Sequence, residues 1–180
     1  MKSERGADDK AAWESGEVGV WYGASSAQDF LNAGGTNRDS PDRHVLEKLN
    51  ALPQQRELWP LKNHYVATLR RFGRINEGDW AIVYFDRTLH FARLTGAISS
   101  RADHPLNQKD GQVFKYRRIA HPKQFRLSKL PDCFMLLATA GRGNIHEFNG
   151  TNYDIVKILA DAKDESEAIE RIRGMSFQDG

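Results

Sequence analysis

The chain of 180 residues reads as an α+β domain, a small closed or half-closed β-barrel of about five to six strands with helices packed outside. The run Trp80–Phe85 is apolar on both faces, so it needs cover on both, and after Asp86-Arg87-Thr88 the chain returns as a second strand, Leu89–Ile98. Capped helical stretches stand before this hairpin and at the C-terminal end. The elements are segregated rather than alternating, which argues against a doubly wound sheet.

Residues 1–17 are charged and read as a flexible lead-in, followed by a domain over 18–160 and a C-terminal helix or linker over 161–180. Val18–Tyr22 is the first strand. Ser26 and Asp29 have capping-box spacing for a short helix that Gly34-Gly35 stops. In "SPDRHVLEKLNAL", Ser40 is the expected N-cap and Pro41 the first helical position, with Val45, Leu46 and Leu49 on one face. "PQQRELWP" breaks that helix and leaves Trp59 in a proline-bounded loop. "NHYVATLRRFGRI" is a third helix, ended by Gly73. After the hairpin, residues 111–119 alternate as a strand, 127–139 form a short helix, and 141–149 form a last strand. Residues 151–174 make one or two helices, held by Tyr153, Ile155, Val156 and Leu159.

No apolar run reaches the ~20 residues of a membrane span, and the N-terminus lacks a signal-type apolar stretch; a cytoplasmic protein is expected. The single cysteine, Cys133, excludes an internal disulfide and a Cys-based zinc cluster. Six scattered histidines without H-x-x-x-H spacing give no metal site, and no cofactor is expected. "GRGNIH" lacks the P-loop lysine, and "GASSA" lacks the second glycine of a nucleophile elbow.

The remaining signal is aromatic and basic. The formal net charge is +2, yet residues 101–142 hold nine basic and three acidic groups, a local +6 that fits a polyanion-facing surface. Trp21, Tyr22, Ser25, Ser26, Trp59 and Tyr84 are candidate walls and polar groups of a base pocket. Ser25 and Ser26 stand where a helix start would offer N–H donors beside Trp21. Lys115, Arg117, Arg118, Lys123, Arg126 and Arg142 are candidate phosphate contacts. The competing readings are a core strand feeding a capped helix, a lid for Trp59, and core for Trp80.

"GVWYGASSAQDF" resembles the opening strand and helix of PUA-like domains of the EVE and YTH type. "INEGDWAIVYFDRTLHFARLTGAIS" is similar to their central hairpin, and "VFKYRRIAHPKQF" to the strand and polar crossover that follow. The nearest likeness is to the specificity domains of modification-dependent restriction systems. The resemblance implies a barrel pocket with an aromatic cage that receives a flipped, modified base, DNA favoured over RNA, with a nuclease in a separate domain or partner. It places Trp21, Ser25 and Ser26 where strand and helix meet the ligand and Trp59 near a cage position. The acidic signature of the RNA readers is absent from "YGASSAQD". Two alternatives stand beside this one: an RNA reader of N6-methyladenine, and an ASCH-like enzyme using Asp79, Tyr84, Asp86 and His90. A protein-interaction module with an acidic partner is a third.

Overall fold

The computed structural model describes residues 4–108, 110–126 and 150–175. In order these form α1 (Glu4–Glu14), β1 (Glu17–Val20), α2 (Ala27–Asn32), α3 (Asp42–Asn50), α4 (Pro53–Arg56), α5 (Asn63–Arg74), β2 (Trp80–Phe85), β3 (Thr88–Ser99), β4 (Lys115–Arg126), α6 (Gly150–Asp161) and α7 (Glu165–Arg173). The α+β class is as expected. The sheet is antiparallel, with order β1-β4-β3-β2. It is open and has four strands among the described residues, in place of a closed barrel of five or six. The strand expected at 141–149 and the helix at 127–139, with Cys133, Arg142 and His146, lie outside the described residues, as does the Tyr153 side chain.

The chain divides into two compact units, residues 1–79 with 94–119 and residues 80–93 with 120–180, so β3 and β4 each contribute to both. In the first unit β1 pairs with the start of β4, Glu17 opposite Arg118 and Val20 opposite Lys115. The expected lead-in is instead helical. α1 packs on β1, and Ala12 joins Phe114, Tyr116, Trp21 and Leu106 in one apolar cluster. The helices α3 and α5 pack together and bury Val45, Leu49, Val66, Leu69 and Phe72. Pro41 rather than Ser40 takes the N-cap of α3, with no side-chain bond. Gly73 lies in the last turn of α5, one residue before its end. Arg70, 2% exposed, binds the Gly35 and Asn37 carbonyls and the Asp42 carboxylate, and so fixes the turn before α3.

In the second unit β2 and β3 form a hairpin in which Trp80 faces Arg93 and Val83 faces His90. Asp86 and Arg87 at its turn both have positive φ, 50° and 57°, the pairing a tight two-residue turn demands. One face of the hairpin carries Trp80, Ile82, Leu89 and Phe91. With Phe125 it is covered by Ile155, Val156 and Leu159 of α6 and Ala168 and Ile172 of α7. Trp80 sits between the Phe91 ring at 4.4 Å and the Arg93 guanidinium at 4.1 Å, the structural role expected of it. β4 runs past its expected end through "IAHPKQFR". Pro122 follows His121, whose φ is +52°, and lies beyond Arg118, the last β4 residue in register with β1.

Candidate functional site

The segment joining β1 to α2 carries the densest set of candidate residues. β1 stops at Val20, so Trp21 and Tyr22 stand in the connection rather than in the strand. Gly23 turns it at φ +75°, and a Cβ there would lie 2.3 Å from Gln55 Oε1, so only glycine admits this approach. Trp21 stacks on Phe114, centroids 4.7 Å apart, and its Nε1–H donates to the Leu106 carbonyl at 2.7 Å. Tyr22 stacks on Tyr65 at 5.1 Å. The two neighbouring aromatics thus pack on different residues, and each already has an aromatic partner.

Beneath them lies Lys115, 0% exposed. Its Nζ donates to the carbonyls of Tyr22 at 2.9 Å, Gly23 at 3.2 Å and Val113 at 3.1 Å. Burial pushes the ammonium down to about 7, with the charge of Asp29 opposing. Lys115 is therefore an interior strut, not a phosphate contact. The same correction holds for Arg117, 3% exposed, whose guanidinium is taken up by the Gly96 and Ile75 carbonyls. Desolvation lowers its pKa, against the carboxylates of Asp79 and Glu77. Lys123 donates to the Ala160 and Ala162 carbonyls at the end of α6, both at 2.6 Å, where a cation suits the helix dipole. Arg118 and Arg126 are exposed. Arg142 lies outside the described residues.

The N–H donors of Ser26, Ala27 and Asp29 at the start of α2 are already spent. Ser26 and Asp29 form the capping box, the Ser26 N–H donating to Asp29 Oδ2 at 2.9 Å and the Asp29 N–H to Ser26 Oγ at 3.0 Å. The Ala27 N–H goes to Ser100 Oγ and the Ala24 N–H to Gln55 Oε1, both at 2.8 Å. Ser26 is a structural cap. Ser25 differs: it is 0% exposed, and its Oγ has no hydrogen-bond partner, a state that costs about 1–3 kcal/mol.

Gln55, 1% exposed, is the member that sequence reading missed; nothing in "PQQREL" separates it from Gln54. It accepts from Ala24 and donates from Nε2 to the Trp59 carbonyl at 3.1 Å, so one side chain ties the Trp21–Ser26 connection to the Trp59 loop. Asn50 clamps that loop on its far side through two bonds to Leu61. The Trp59 side chain between these anchors is 92% exposed, which removes the lid reading.

Tyr84, 43% exposed, belongs to the second unit and the other five pocket candidates to the first. Of the residues of the enzyme alternative, Asp79 belongs to the first unit and Tyr84, Asp86 and His90 to the second. Tyr84 and His90 project from opposite faces of the hairpin, Phe85 stacks on His90 at 3.6 Å, and Asp79 Oδ2 accepts from the Asn76 N–H of its own turn. Two grooves on the molecule, of about 430 Å³ beside Arg126 and Glu165 and about 350 Å³ beside Ile75 and Gly96, are lined by none of the six pocket candidates. Among the described residues no helix is long and apolar enough to cross a membrane. No protein-family model matches the chain, and comparison with curated proteins and with solved structures returned no match.

Proposed function

We propose that this chain is a nucleic-acid-binding reader domain that recognises a modified base, DNA favoured over RNA. In this reading it is the specificity module of a modification-dependent restriction system, with the nuclease in a separate domain or partner. A PUA-like barrel is the finer form of the fold that goes with it. The observation that carries the reading is the Gln55 link: Trp21, Tyr22 and Ser25 on one connection are held in fixed relation to a fully presented indole, Trp59. Stacking a base on an aromatic returns about 1–3 kcal/mol, which offsets the few kcal/mol lost when that base leaves its duplex. The unpaired Ser25 hydroxyl is the kind of group a base edge would satisfy.

The test is binding of purified protein to a panel of duplexes and matching RNAs, each carrying one defined modification, read by fluorescence polarisation at fixed salt. One modified duplex is expected to bind about tenfold or more tighter than its plain counterpart. Trp59→Ala, which disturbs no packing, should lose about tenfold on the preferred duplex, and Trp21→Ala should abolish the preference. Equal affinity across the panel rejects the reading, and preference for a modified RNA reassigns the polymer.

A further inference from the structure

In the first unit four groups form one line of hydrogen bonds. The Trp21 Nε1–H donates to the Leu106 carbonyl at 2.7 Å, and the N–H of Leu106 donates to His104 Nδ1 at 3.1 Å. On the other side of the ring, His104 Nε2 lies 2.8 Å from Glu17 Oε2. Since Nδ1 accepts, the neutral ring carries its proton on Nε2 and gives it to the Glu17 carboxylate. Both residues are interior, His104 4% and Glu17 7% exposed. The imidazole is held between Phe114 at 4.9 Å and Tyr116 at 5.1 Å, in the cluster that also contains Trp21.

We propose that Glu17 and His104 are positioning residues for Trp21: through the backbone of Leu106, whose N–H and carbonyl lie on successive peptides, they set the orientation of the indole, and a proton on His104 Nδ1 releases it. Its meaning for base recognition rests on the reading above, but the linkage itself does not. A proton on Nδ1 turns the acceptor of the Leu106 N–H into a second donor. Two donors then face each other at hydrogen-bond distance, so the Pro105–Leu106 peptide that carries this N–H must turn away, and the shift of Leu106 displaces its carbonyl, on the following peptide, from the indole N–H. The groups that bear on this proton are Glu17 from β1, Tyr116 and Arg118 from β4 (Arg118 being opposite Glu17 in the ladder), and Arg101 and Asp103 from the loop of His104 itself. α1 meets the cluster through Ala12, and its Asp8 and Asp9 stand one turn before that residue on the same helix face.

The test needs no nucleic acid, so it succeeds or fails independently of the binding panel. In nitrogen-15-labelled full-length protein, the Trp21 indole N–H resonance, assigned with Trp21→Phe, is followed from about pH 8 to about pH 5. It should move in one step while the Trp13, Trp59 and Trp80 resonances do not share that step. In His104→Phe, whose ring occupies the same space between Phe114 and Tyr116, the step should vanish. Glu17→Gln keeps an oxygen for the Nε2 proton and should retain it. A wild-type Trp21 resonance flat across the range overturns the proposal, and so does a step common to all four indoles. Both outcomes are read on wild-type protein, whether or not the His104→Phe variant folds.

Discussion

At the residue scale, burial decides what a charged group can do. Lys115 has its three N–H donors on main-chain carbonyls and, stripped of water, titrates near 7, whereas a lysine in an unfolded chain holds its proton to about 10.4. Between those limits the unfolded chain binds a proton that the folded chain does not. Stability is therefore gained as pH rises from about 7 towards 10, at about 1.4 kcal/mol per pH unit, and lost again as pH falls back to 7. Urea unfolding at about pH 7, 8 and 9 should show the wild-type free energy climbing relative to Lys115→Met, which has no titrating group there. Parallel curves would mean that Nζ keeps its proton throughout. Trp59 is the converse case. An indole 92% exposed contributes little to the fold, so Trp59→Ala should leave the melting temperature unchanged while it acts on binding.

At the element scale, α2 shows which local rules carry through. Its capping box forms as the spacing of Ser26 and Asp29 requires, because cap and partner are three residues apart and need nothing from the rest of the chain. Ser26→Ala should cost about 1 kcal/mol in denaturant unfolding; no loss would assign the start of α2 to Ser100 and Gln54, which also bind there. Phe30 of the same helix is a long-range feature. It is 0% exposed, with a Cβ on Gly35 falling 2.1 Å from its ring and one on Gly73 2.8 Å. Gly35→Ala should destabilise by about 1–3 kcal/mol, and Phe30→Leu in the same chain should recover part of that, as a thermal melt would show. "AGG" and "FGR" read as helix stops in sequence, and Gly73 does lie in the last turn of its helix, but the further demand on these glycines comes from a ring elsewhere in the chain. The same holds for Gln55, which acquires its role from a partner 31 positions away, and for His104 and Glu17, which are 87 positions apart. β2, β3 and the aliphatic faces of α3, α5 and α6 were legible because periodicity records burial directly. α1 was not, because its helix is charged over most of its length and is held by one small apolar edge on β1.

At the scale of the whole molecule, charge summed along a sequence is not charge presented to a partner. The stretch 101–142 holds nine cations, but two of its described ones, Lys115 and Arg117, are wholly interior, and Lys123 is bound to helix carbonyls. Those three side chains meet needs of the fold, which leaves Arg101, Arg118 and Arg126 exposed among the described residues. If nucleic acid is the partner, the salt dependence of binding counts only the cations that release counterions, close to one unit of log–log slope for each phosphate neutralised. Arg118→Gln and Arg126→Gln should each lower the slope by up to about one and weaken modified and plain duplexes alike. Each arginine belongs to a different unit, so the two variants map the phosphate track separately: a change from Arg118 alone confines it to the unit that carries Trp21, Trp59 and Gln55. An unchanged slope in both variants would remove Arg118 and Arg126 from the interface, leaving Arg101 as the exposed cation of the stretch, among the described residues, that a phosphate could meet.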